Sequence, residues 1–126
     1  VGEASGEVPY TAFSAQKSWL NKNKDTAKAF LRAVLKGYKY MTENTPETVA
    51  KALAPSFVGT PETSIAASVK SYVAINALAS TPVMSKTSFD HLQEIMENAG
   101  TLSSRADYSL AVDNTIAQEL VKELGL

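Results

Sequence analysis

Any catalysis or metal binding by this chain would have to begin from one imidazole, because the 126 residues contain a single histidine, His91, and no cysteine. His91 stands beside Asp90 in "SFDHLQEI", at the edge of an apolar helical stripe. A metal site or a general base needs clustered imidazoles and carboxylates, so His91 reads as a boundary residue. Serines and threonines are plentiful, but no nucleophile elbow or serine-to-lysine signature surrounds them, and no glycine-rich phosphate loop is present. No catalytic residue, metal or cofactor is therefore expected. What remains is recognition by aromatic side chains: Tyr10, Phe13, Trp19, Tyr38, Tyr40, Tyr72 and Tyr108 offer flat apolar faces, most of them with polar tips. Trp19, Tyr38 and Tyr72 fall at helical core spacing and are assigned to packing. Tyr10 and Thr11 differ, since they lie on an extended segment just before a capped helix, where polar tips meet ligands.

The elements that must position these residues follow from pattern. In "EVPYTAFSA", Val8, Tyr10 and Ala12 alternate with Pro9, Thr11 and Phe13, which predicts a strand over 7–14 with apolar residues on both faces. Pro9 cannot donate to a ladder and belongs near its start or on an edge. Ser14 is placed to cap a short helix in "AQKSWLNKN". From Lys24 to about Glu43 the residues Ala27, Phe30, Leu31, Val34, Leu35, Tyr38 and Met41 recur at helical steps, with Lys28, Arg32, Lys36 and Lys39 forming a solvated stripe opposite. Gly37, in the middle of that helix, suggests a close neighbour.

The tetrapeptide "TPET" occurs twice, at Thr45 and at Thr60. A threonine oxygen for the first free amides, a proline without an amide and a glutamate at the positive end of the dipole are what a helix start requires. Both copies read as helix punctuation, and their unlike flanks exclude an internal duplication. The first precedes Val49 and Leu53 and stops at Pro55. The second precedes Ile65, Val69, Tyr72 and Val73 on one face. A further helix is predicted after a cap at Ser85 or Thr87, with Phe89, Leu92, Met96 and Ala99 inward and Gly100 closing it. Tyr108 anchors the connection that follows, and a last helix starts near Asn114 or Thr115, where Thr115 and Gln118 have capping-box spacing, and buries Ile116, Leu120 and Leu124. The expected fold is mainly α, five or six helices after one N-terminal strand. That strand has no partner within the chain, although its backbone groups need one.

Composition narrows the class. Hydrophobic residues make up 44% and charged residues 20%, which suits a globular chain of one domain. The net charge of −1 gives no field to gather phosphates, so nucleic acid is not an expected partner. Charge is nonetheless divided: Val1 to Thr42 has seven basic residues against three acids, and Glu43 to Leu126 five against ten. No apolar run reaches the roughly 20 residues of a membrane span. The start "VGEASGEVPY" has neither the form of a signal peptide nor an initiator Met, so a mature product or an excised piece is expected.

The order of parts, "VPYTAFSAQKSWLNKNKDTAKAFLRAVLKGYKYMTEN", a proline-initiated helix, then "FDHLQEIMENAGTLSSRADYSLAVDNTIAQEL", resembles the C-terminal portion of ABC-transporter substrate-binding proteins. The branch it is most similar to handles nitrate, sulfonates, taurine and thiamine-pyrimidine precursors. The resemblance runs from about Glu7 to Lys122 and rests on order and spacing. It implies a two-lobed α/β parent of the periplasmic-binding-protein type, located outside the cytoplasm, periplasmic or anchored as a lipoprotein. Such a parent closes on a small solute and delivers it to a membrane permease. It also implies that residues 7–14 are a crossing strand between the lobes and residues 15–126 a helical tail, all within one C-terminal segment. Tyr10 and Thr11 are the implied ligand contacts, with Ser14 beside them. Asp113 and Asn114, in "LAVDN", match a recurring stretch of the family and read as helix caps. Helices made to cover a sheet that is elsewhere would leave apolar faces open, so a homo-oligomer or strand-exchanged dimer is expected of this chain. The competing readings are a helical protein-interaction module without a small-molecule site, and part of a pyrimidine-precursor synthase that shares the fold.

Overall fold

The computed structural model describes residues 6–125. Among them are seven α-helices: α1 (Lys17–Lys22), α2 (Lys24–Glu43), α3 (Pro46–Leu53), α4 (Glu62–Ala74), α5 (Lys86–Asn98), α6 (Tyr108–Ala111) and α7 (Thr115–Leu124), with a 3₁₀ turn at Ala54–Ser56. The predicted strand is corrected: no strand occurs among the described residues, and 7–14 runs without helix or ladder. The cause is the one its sequence announced, since no second strand among the described residues is there to accept its hydrogen bonds. The chain divides into two compact units, Ala29–Thr81 and 6–28 together with 82–125.

In the Ala29–Thr81 unit the first "TPET" does what its chemistry dictates. Thr45 is extended and caps α3, its hydroxyl accepting from the Thr48 amide at 3.3 Å, and Pro46 opens the helix. The second copy is out of register by one residue. The Thr60 amide donates to the Phe57 carbonyl at 3.0 Å, closing a turn, so Pro61 becomes the cap residue and no side chain caps α4. Val49 and Ala50 of α3 meet Ile65 and Val69 of α4 in a buried core, with Met41, Leu53, Ala54, Ala66 and Val73 packed around it. Tyr72, expected inward, is half exposed, and its neighbour Val73 takes the inward place. The end of α4 uses Asn76 in the left-handed region (φ 51°), letting the Ala77 amide reach back to the Tyr72 carbonyl at 3.0 Å.

The other unit obeys similar rules. α1 begins at Lys17, where the Gln16 carbonyl accepts from the Trp19 and Leu20 amides at 3.0 Å each, so Ser14 lies too far out to cap it. Ser85 does cap α5, its hydroxyl accepting from the Ser88 amide at 3.0 Å. Gly100 closes α5 with φ 70°, and the Thr101 amide returns to the Met96 carbonyl at 2.9 Å. Phe89, Leu92 and Met96 of α5 are partly buried, whereas Ala99 is exposed. In α7, Leu120 is fully buried at 0% exposure and Ala117 is buried beside it, while Leu124 stays exposed. Burying a leucine side chain completely contributes about 1.5–3 kcal/mol. At Gly37 the close neighbour expected in α2 is missing, because among the described residues no atom beyond the adjoining backbone of α2 itself and the two flanking residues lies within 4 Å of where a Cβ would sit.

Candidate functional site

The three residues singled out for ligand contact all lie on the segment between Gly6 and α1. Tyr10 is 94% exposed, and Thr11 and Ser14 are exposed with it. Phe13 on the same segment is 66% exposed. An aromatic ring ordinarily buries 150–250 Å², so these rings are apolar surface that the described residues leave largely uncovered. None of the three lines the cavity between α3 and α4 or the one beside the start of α5.

The latter cavity, about 230 Å³, adjoins the segment where it meets the start of α5 and is lined by Gly6, Glu7, Ser85, Thr87, Ser88 and His91. Its two serine hydroxyls are committed to the helix start. The Ser85 hydroxyl donates to that of Ser88 at 2.8 Å, and the Ser88 hydroxyl also meets the Ser85 carbonyl at 3.1 Å. His91 is partly exposed, as a boundary histidine should be, with Nδ1 3.7 Å from a carboxylate oxygen of Glu94 one turn on. Gly6 crosses over this ring with φ 78°, and a Cβ added there would stand 3.7 Å from Nε2. The serines are thus capping groups. Among the described residues no cluster of three histidine or acidic side chains could hold a metal ion.

The segment before α5 is fixed by residues further along the chain. Asn114 Nδ2 donates to the Met84 carbonyl at 2.9 Å while its Oδ1 accepts from the Met84 amide at 3.1 Å. The Tyr108 hydroxyl donates to the same carbonyl at 2.6 Å and accepts from Asn114 Nδ2 at 2.9 Å. The Tyr108 ring meets Phe89 edge-on, with centroids 5.6 Å apart. Asn114 occupies the cap position of α7, but its side chain makes no capping bond there and is spent on Met84 and Tyr108 instead. The cap function falls to Asp113, whose Oδ1 accepts from the Thr115 amide at 2.9 Å. Hydrogen bonds from the Thr115 hydroxyl and amide hold the Asp113 carboxylate below its ordinary value, and the Ser109 hydroxyl and amide do the same for Asp107.

Gln93 was not anticipated. It is buried in α5 and takes both backbone groups of Ala106, the amide at 2.6 Å and the carbonyl at 3.3 Å. The signal was present in the sequence, since Gln93 lies one turn from Phe89 on the apolar face of α5 and a buried amide needs partners. Arg105 next to it is tied to Glu97 at 2.7 Å, and Lys28 of α2 bridges Glu119 and Glu123 of α7 at 3.1 and 3.2 Å. These carboxylates raise both cations above their ordinary values.

Comparison with known proteins bears on the whole segment. Residues 5–48, which include Tyr10, Thr11 and Ser14, match the family described as "NMT1/THI5 like". Over 122 residues the chain is 32% identical to "Putative binding protein YtlA" of Bacillus subtilis (strain 168), an alignment that takes in 97% of this chain and 36% of that protein. The chain thus spans about a third of the length of this relative. No solved structure matches it. The likeness to a binding protein, first seen in the order of parts, extends over nearly the whole chain.

Proposed function

We propose that this chain is the C-terminal part of a two-lobed solute-binding protein of an ABC importer. Residues 7–14 cross between the lobes, and Tyr10 and Thr11, with Ser14 close behind, face a small organic or inorganic solute. The observation that carries this reading is the 32% identity, along almost the entire chain, to a protein described as a binding protein. The exposure of Tyr10 supports it, because a ring outside the packing of its own unit is free to serve as one wall of a cleft. In this reading the intact protein works outside the cytoplasm and hands its solute to a membrane permease.

Calorimetry on the intact longer protein and on this chain, with nitrate, a sulfonate and a pyrimidine as probes, tests the assignment. The intact protein is expected to bind one of them, and this chain weakly or not at all, because one wall cannot bury a ligand. Tyr10→Ala in the intact protein should weaken that binding by at least about tenfold, on the order of 1.4 kcal/mol. Tight binding by this chain alone, or an unchanged affinity in the Tyr10 variant, would overturn it. The match of residues 5–48 to the "NMT1/THI5 like" family favours a second reading, part of a pyrimidine-precursor synthase. An absorbance band from a bound cofactor in the intact protein would select that reading.

A further inference from the structure

A groove runs between α3 and α4, wholly inside the Ala29–Thr81 unit, and encloses about 500 Å³. Small side chains, Ala66 and Ala67 of α4, form part of its lining. Glu47 and Lys51 stand on the α3 bank, Glu62 and Lys70 on the α4 bank, and all four are exposed. Among the described residues none of the four is in an ion pair with another part of the chain. Exposed charges flanking an alanine-lined groove without internal partners make this a face whose complementarity can be read.

The order of signs along α4 indicates the occupant. Glu62, Ala66 and Lys70 fall at steps of four residues and share one stripe of the helix. Ala66 is the midpoint of that stripe. A half-turn about an axis through Ala66 lays the stripe on itself with the charges exchanged, so that Glu62 of one copy meets Lys70 of the other, twice over. Such a self-complementary patch is the definition of an isologous contact. Alanines at the crossing point let the two backbones approach, and the antiparallel arrangement sets the positive end of each helix beside the negative end of its mate. A uniformly acidic or basic partner would be attracted by half of this rim and repelled by the other half. We propose that the α4 face of this groove is a two-fold interface between copies of this chain, with Glu62 and Lys70 as its reciprocal ion pairs.

Sedimentation equilibrium over a range of concentrations tests this directly. The chain should show a monomer–dimer equilibrium that weakens as salt is added. Lys70→Glu alone sets glutamate against glutamate, and Glu62→Lys alone sets lysine against lysine; each should lower the association constant about tenfold. Combining E62K with K70E restores opposite charges at both contacts and should recover the dimer. Ala67→Trp, which adds bulk on the exposed edge of the groove without altering charge, should also dissociate it. Circular dichroism of each variant shows whether the helices are retained. A chain that stays monomeric at every concentration would overturn the proposal. So would a dimer indifferent to the single reversals and to A67W, which would place the contact on another face, such as 7–14. Failure of the folded double variant to recover would equally overturn it.

Discussion

Asn114 holds Met84 by both of its backbone groups, across thirty residues of sequence. The amide side chain imitates a neighbouring strand, giving one donor and one acceptor to a segment that has no ladder of its own. The Tyr108 hydroxyl completes the arrangement at the same carbonyl. Asn114→Ala should therefore destabilise the chain by about 1–3 kcal/mol, the cost of leaving partly buried backbone groups unpaired. Urea titration of both proteins measures it, and a loss below about 0.5 kcal/mol, the range of ordinary surface changes, would mean that water replaces the side chain without penalty.

The two "TPET" copies provide a matched comparison inside one molecule. Thr45 caps α3 through its hydroxyl, whereas Thr60 spends its amide on a turn and leaves the capping position to Pro61. Thr45→Ala should cost about 1 kcal/mol. Thr60→Ala should remain within about 0.5 kcal/mol. Equal losses at the two sites, in the same denaturation experiment, would contradict the one-residue shift in register.

Acid should weaken the 82–125 part of the chain through two aspartates. Asp107 and Asp113 are both held below their ordinary values, by hydrogen bonds from Ser109 and Thr115 respectively. A carboxylate with a lowered folded value favours the folded state in its ionised form. That stabilisation is complete above the unfolded value of about 3.9 and is lost as pH falls through the folded values. The urea midpoint should thus be flat near neutrality in this respect and decline below about pH 4. In the variant carrying Asp107→Asn and Asp113→Asn the decline should be shallower, since an amide retains an acceptor but has no proton to take up. The Lys28 bridge runs in the opposite sense. Its value is raised, so its contribution is complete below the unfolded value of about 10.4 and is lost as pH climbs through the folded one.

Local chemistry was legible in the sequence at several helix ends, although not at Ser14 or Thr60, where the helix starts beyond the reach of the hydroxyl. The limits of α2, the Thr45 and Ser85 caps and the left-handed stop at Gly100 were all readable from neighbouring residues. Other misses depend on partners distant in sequence. The segment 7–14 has strand-forming residues but no strand to pair with among the described residues, and propensity alone does not build a ladder. Asn114 looks like a cap until Met84 is brought to it, and the partner of Gln93 is unknown until Ala106 is brought to it. Tyr10, Thr11 and Ser14 are exposed on one segment, which makes them accessible and says nothing of a ligand. The position of Tyr72 turned on a single step around α4, where Val73 supplies the inward side chain.

The vacancy around Gly37 has a practical consequence. Midway along a helix of 20 residues, this glycine sits in ordinary helical backbone with open space where a side chain would go. Glycine at such a place costs a helix about 1 kcal/mol relative to alanine, and no described residue uses the room it leaves. Position 37 is accordingly an attachment point, where a cysteine carrying a fluorescent or spin label could report on α2 without displacing a neighbour. In a chain with no native cysteine, that label would have only one place to go.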